Sequence, residues 1–198
     1  MKLLAFSDLH ASLTGIKRLE QTIRKEKPDV LINLGDFTIF EQNIEAVCSR
    51  LAKLHKTQFV LHGNHEEDST VALMCKRQGW TFCHQKTVEK EGILFVGYGG
   101  GGFAYDEPRF TRWTKTIEAG IQKAKKVVLL THQPPYGTVL DHLYGDHVGN
   151  RSFTQFIKAN KNVALALSGH IHETTGKTGK LNKAMLINPG PFGKVVTV

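Results

Sequence analysis

An α/β fold is predicted by three observations on this 198-residue chain. Short apolar runs recur at residues 2–6, 30–34, 59–61, 127–130 and 163–167. Stretches with apolar residues three and four apart separate the first runs, which gives the strand–helix alternation of an α/β protein. Each run also ends in Asp, Asn or His, where ligands gather beyond the carboxyl ends of strands in such folds.

The elements follow in order. Residues 2–6 form a strand ending at Ser7-Asp8-Leu9-His10. Ile16, Leu19 and Ile23 mark a helix from Thr14 to about Lys27, stopped by Pro28. A second strand, 30–34, closes at Gly35-Asp36. Ile44, Val47, Leu51 and Leu54 carry a second helix, and 59–61 returns to the sheet. A third helix fits 67–78, with Gly79 as its cap. Phe82, Val88 and 93–96 read as shorter strands, and 112–124 as a helix. The strand at 127–130 ends at Thr131-His132, where Pro134 and Pro135 stop continuation. Residues 136–150 read as a loop holding His142 and His147, and 151–159 as a short helix. The strand at 163–167 leads to Ser168-Gly169-His170-Ile171-His172, and two short strands follow at 184–187 and 193–198. No boundary or repeat divides the pattern, so one domain, 1–198, is expected.

Composition narrows the class. Hydrophobic content of 40% and charged content of 22% are those of a globular protein. Three cysteines without C-x-x-C spacing argue against a disulfide framework and a thiolate zinc site, and fit a reducing cytoplasm. No run has the length of a membrane span, and the start of the chain lacks a secretory pattern. A net charge of +8 favours anionic partners, although the lysines are dispersed. The glycines at 99–102 lack the context of a phosphate-binding loop. They form either a mobile connector or a lid beside the site, with Tyr98, Phe103 and Tyr105 as substrate surfaces.

Asp8, His10, Asp36, Asn64, His132, His170 and His172 all sit at strand ends. Oxygen and imidazole donors suit Mn²⁺, Fe, Zn²⁺ or Ni²⁺. Seven donors exceed the needs of one four-coordinate ion and suit two ions bridged by a carboxylate, for which Asp36 is placed. In extended backbone, the i and i+2 residues of Asp8-Leu9-His10 and His170-Ile171-His172 would face one side.

Asp8-Leu9-His10, Gly35-Asp36, Gly63-Asn64-His65-Glu66, Thr131-His132 and Gly169-His170-Ile171-His172 occur in the order seen in the calcineurin-like metallophosphoesterase superfamily, which the chain resembles. Asn188-Pro189-Gly190 resembles a turn of its small members, and Glu66 stands where many members have Asp. The resemblance implies a β-sandwich of two mixed sheets flanked by helices, in four αββα layers. It implies two divalent ions, Mn²⁺ foremost. Asp8, His10, Asp36 and His172 would hold the first, and Asp36, Asn64, His132 and His170 the second. His65 would stand near the leaving group during in-line attack by hydroxide.

The expected function is therefore metal-dependent hydrolysis of a phosphate ester, a diester before a monoester, on a small molecule or nucleotide. His142 and His147 are candidate substrate contacts. A nuclease is less favoured, because the chain has no evident room for DNA-binding additions. A non-catalytic scaffold, as in the retromer subunit of this fold, is disfavoured by the complete donor set.

Overall fold

A computed structural model describes residues 1–198. The first half runs β1 (Lys2–Phe6), α1 (Leu13–Glu26), β2 (Val30–Asn33), α2 (Ile44–Ala52), β3 (Gln58–Val60), α3 (Asp68–Gln78) and β4 (Thr81–Phe82). Next come β5 (Lys86–Lys90), β6 (Ile93–Tyr98), α4 (Pro108–Thr116), α5 (Glu118–Lys123) and β7 (Lys126–Thr131). The chain ends with β8 (His142–Leu143), β9 (Asp146–His147), α6 (Arg151–Ala159), β10 (Val163–Leu167), β11 (Thr178–Leu181), β12 (Ala184–Ile187) and β13 (Lys194–Thr197).

Two mixed sheets result. One is ordered β13-β1-β2-β3-β4 and the other β11-β12-β10-β7-β6-β5. Inner pairs are parallel, and β13, β5 and β11 join antiparallel. The sheets pack face to face through Ala5, Ile32 and Phe59 on one side and Phe95, Leu130 and Leu167 on the other. Alternate residues of the first sheet, such as Leu4, Phe6 and Leu31, pack under Leu19, Val47 and Val71 of α1–α3. Val96, Leu129 and Ala166 of the second sheet lie under Phe110, Ile121 and Phe156 of α4–α6. Strands buried on both faces explain why they read as unbroken apolar runs. No helix is long and apolar enough to cross a membrane.

Local signals account for the helix ends. Ser12 caps α1 by accepting from the Gly15 amide, and Lys27 closes it in left-handed backbone before Pro28. Gly79 closes α3.

Three expectations need correction. The helix expected over 112–124 is two helices, because Pro108 opens α4 earlier and the chain turns at Ile117. The segment 136–150 is not wholly loop: His142 pairs with His147 in a two-stranded ribbon. Tyr98 is not a substrate-facing residue of a lid; it ends β6, 5% exposed, in the core beneath α4–α6.

Candidate metal centre

The parallel strands of both sheets deliver their carboxyl ends to one edge. Asp8 follows β1, Asp36 follows β2, Asn64 lies beyond β3, His132 follows β7 and His170 lies beyond β10. Three groups of side chains there have ligand atoms within 4.8 Å of one another: Asp8-His10-His172, His10-Asp36-His65 and Asp36-His132-His170. Asn64 Oδ1 is 3.1 Å from His132 Nε2, which adds the amide to the third group.

The backbone that holds these groups is not extended. Asp8, His10, Asp36 and His170 all have positive φ, between 45° and 69°. The expectation that Asp8-Leu9-His10 and His170-Ile171-His172 act as extended i, i+2 pairs is therefore wrong. His170 and His172 instead point into different groups. Left-handed backbone costs a non-glycine residue about 1–2 kcal/mol, and hydrogen bonds between loops offset it. The Asp8 and His10 amides donate to Gly35 O and Asp36 O, and the His170 amide donates to Asp8 Oδ2 at 3.0 Å. Gly63 is required by close approach: a Cβ there would strike the Asp36 carboxylate.

Sequence reasoning missed the brace under this loop pair. The Glu66 carboxylate is 6% exposed and accepts from the amides of Asp36, Thr38 and Gly63 and from the Thr38 hydroxyl. Its place three residues after Gly63 was the one available signal. Burial raises the Glu66 pKa despite these donors.

The imidazoles are oriented by backbone carbonyls. His132 Nδ1 lies 2.8 Å from Leu34 O, and His10 Nδ1 lies 3.1 Å from Thr38 O. Each Nδ1–H donates there, which leaves Nε2 to present a lone pair to the centre, as metal-binding histidines require. His10 Nε2 and His172 Nε2 face each other at 3.3 Å. Buried His170 Nε2 has no partner at all. Converging imidazole nitrogens and an orphaned one fit a cation, so the donor set suits the two ions expected.

The same neighbours set the charges of these groups. Burial pushes the Asp36 and Asp8 carboxyls up, but His132 beside Asp36 and His172 beside Asp8 outweigh it and hold both low. Burial opposes charge on His132, yet Asp36, 3.4 Å away, raises it to about 9. Burial and the neighbouring His132 hold His170 down at about 4. His172 is raised, chiefly by Asp8.

His65 stands at the rim. Its amide donates to Asp36 Oδ1 at 2.9 Å, its Nε2 is 3.9 Å from Asp36 Oδ2, and its ring stacks on exposed Phe40 at 4.1 Å. Phe103, also exposed, lies 4.9 Å from the His170 ring. The structure places His142 and His147 outside the three groups, on the β8–β9 ribbon beside the 3₁₀ turn His172–Thr174. His147 Nδ1 bonds buried Asp141 at 2.8 Å. His55 is structural, bridging Thr57 O and Pro28 O.

Two face-packed sheets with helices outside, and a carboxylate–imidazole centre at the strand ends, define an αββα protein built to bind metal. The calcineurin-like phosphoesterase family matches residues 1–174, and the chain belongs to that family. Its members are generally hydrolases that use paired metal ions. An uncharacterized protein of Methanocaldococcus jannaschii is 31% identical over 203 residues, covering 96% of this chain and 88% of its own. A solved structure from Thermus thermophilus superposes with a TM-score of 0.75 at 16% identity, over 96% of this chain and 89% of that one. A dimetal phosphatase from Danio rerio gives 0.72 at 11% identity, over 94% and 86%. At such identities the structures speak to the fold alone.

Proposed function

We propose that this chain is a single-domain enzyme that hydrolyses a phosphate ester, a diester in preference to a monoester, with two divalent ions. The observation that carries the reading is that His10 links the Asp8–His172 group to Asp36, and Asp36 links His10 to the His132–His170 group, so this carboxylate stands between two sets of donors. Asp8, His10, Asp36 and His172 would hold the first ion, and Asp36, Asn64, His132 and His170 the second. Mn²⁺ suits this oxygen-and-imidazole set. Paired ions supply a lowered pKa for the attacking water and offset negative charge on the phosphoryl oxygens.

The chain's own residues do the rest. Asp36 fixes the spacing of the two halves, and the carbonyls of Leu34 and Thr38 hold the imidazole tautomers. His65 donates a proton from Nε2 to the leaving-group oxygen. Its ring is held by Phe40, and its amide by the same carboxylate that bridges the groups. His142 and His147 contact substrate from the ribbon. Diester preference is supported by the charge pattern: the ion-pair partners of Asp8 and Asp36 are all histidines. No lysine or arginine is ion-paired with these two carboxylates, and Arg109 lies in a cavity beyond Asn64.

Initial rates on bis-p-nitrophenyl phosphate and p-nitrophenyl phosphate test this, with Mn²⁺, with a chelator, and with Asp36→Asn. Chelator-sensitive hydrolysis favouring the diester and lost in the variant is expected. Preference for the monoester would refute the diester assignment. A protein that binds no divalent metal and cleaves neither ester would refute the enzymatic reading.

A further inference from the structure

The glycine run after β6 is not absorbed by the metal chemistry. It forms one wall of a second cavity, of about 470 Å³, which Gly63 and Asn64 also line. That volume lies in the range of small-molecule sites. Asn64 thus separates the cavity from the metal centre.

The glycines have a physical reason. A Cβ on Gly99 would meet His62 Nδ1, and one on Gly100 would meet His62 Nε2, both at 2.8 Å. Without those atoms the loop lies directly on the imidazole. His62 is 8% exposed, and its Nδ1 has no hydrogen-bond partner. This nitrogen lies unpaired beneath the glycine wall, and a buried polar group without a partner costs free energy. His84 packs on His62 with ring centroids 4.7 Å apart, and Tyr98 lies 4.7 Å beyond His84. The two imidazoles meet edge to face, and Tyr98 backs His84 from the core.

The charges on the lining identify the ligand. Glu66 also lines it but is engaged with loop amides. Glu67, Asp68 and Glu107 contribute further carboxylates and Arg109 the only guanidinium. None of the four is in an ion pair. Carboxylates accept hydrogen bonds and repel a further anion. The lining therefore offers acceptors beside imidazole edges, in a protein whose overall charge is +8. A second phosphate is disfavoured there. A donor-rich neutral group, whose hydroxyls meet carboxylates as ribose hydroxyls do elsewhere, is matched.

We propose that this cavity holds the organic half of the phosphate ester, and that this half is an uncharged, hydroxyl-rich group of the sugar or nucleoside type. The assignment rests on the phosphoesterase reading for its link to the metal centre, but the binding itself requires no turnover. Calorimetric titration of the metal-loaded protein with adenosine tests it directly. Saturable binding is expected, weakened at least about fivefold in the double variant Asp68→Asn, Glu107→Gln. Both substitutions keep size, and the second retains a side-chain oxygen to cap α4.

In the same proteins, kcat/KM for thymidine 5′-p-nitrophenyl phosphate is expected to exceed that for bis-p-nitrophenyl phosphate by about tenfold, and the ratio to fall toward one in the variant. Absent adenosine binding, unchanged affinity in the variant, or tighter binding of choline than of adenosine would each overturn the assignment. Adenosine binding without hydrolysis of any ester would leave the cavity standing and remove the phosphoesterase reading. Ester hydrolysis without adenosine binding would do the reverse.

Discussion

Two buried carboxylates gather the loops of this protein in the same way, with different consequences. Glu66, in the first sheet's loop system, collects the amides of Asp36, Thr38 and Gly63. Asp141, beside the second sheet, collects those of Gly137, Thr138 and Gly149 and also the His147 ring. Each knot satisfies backbone donors that a buried loop would otherwise leave unpaired. The Glu66 knot fixes residues that face the ligand groups. The Asp141 knot fixes a ribbon that stands outside them. The same local device therefore supports the ligand groups in one place and a ribbon beside them in the other, and the neighbours decide which.

The contrast is broken most directly at the histidine beside each knot, His65 next to Glu66 and His147 on Asp141. His65→Ala is expected to lower turnover of a diester by about 10²–10⁴-fold, the worth of a general acid, while retaining both metals. His147→Ala is expected to raise KM a few-fold with little change in kcat. Elemental analysis beside steady-state kinetics checks both, and metal loss in His65→Ala would move that residue from proton donor to ligand.

The carboxylates sharpen it next. In Glu66→Gln an amide NH₂ replaces one acceptor oxygen and meets backbone N–H groups. The variant is expected to lose about 3 kcal/mol of stability in urea denaturation, and metal occupancy with it. Asp141→Asn is expected to lose about 2 kcal/mol by the same mechanism, with both metals retained. Equal metal loss in the two variants would erase the distinction.

The smallest effect concerns the core around the first sheet, where Cys48 and Cys75 lie beneath its helices and Cys83 between the two sheets. Burial pushes the thiols of Cys48, Cys75 and Cys83 up to about 12. The folded state therefore holds protons that the unfolded state, with thiols near 9, releases first. Their contribution is complete below about pH 9 and is lost as pH rises toward about 12. The melting temperature is expected to fall above about pH 9, and all three thiols to resist alkylation at about pH 8 until denaturant is added. Rapid labelling of the native protein under those conditions would show that one of them is not buried.

Much of this was legible in the chain itself. The apolar runs announced the strands because both sheets are buried on both faces. Asp8, Asp36, Asn64, His132 and His170 announced the site because strand ends in an α/β fold converge on one edge. Pro28 and Gly79 marked helix ends because their backbone constraints are local. The ribbon at His142 and His147 was missed because a two-residue strand has no periodicity to read, and the break at Ile117 because nothing in its neighbours forbids helix.

By itself, then, the sequence determined which donor atoms the protein owns, in what order, and which segments carry them. Only the tertiary structure decided how they are grouped. The left-handed backbone at Asp8, His10, Asp36 and His170 exists because distant amides and carboxylates hold it. The Asp36 amide bonds Glu66, 30 residues away, and the His170 amide bonds Asp8 across 162. The glycine run became a cavity wall for the same reason: the His62 ring that needs the space arrives from another strand's end. Contacts over such separations leave no periodicity in the chain, so packing alone could place them.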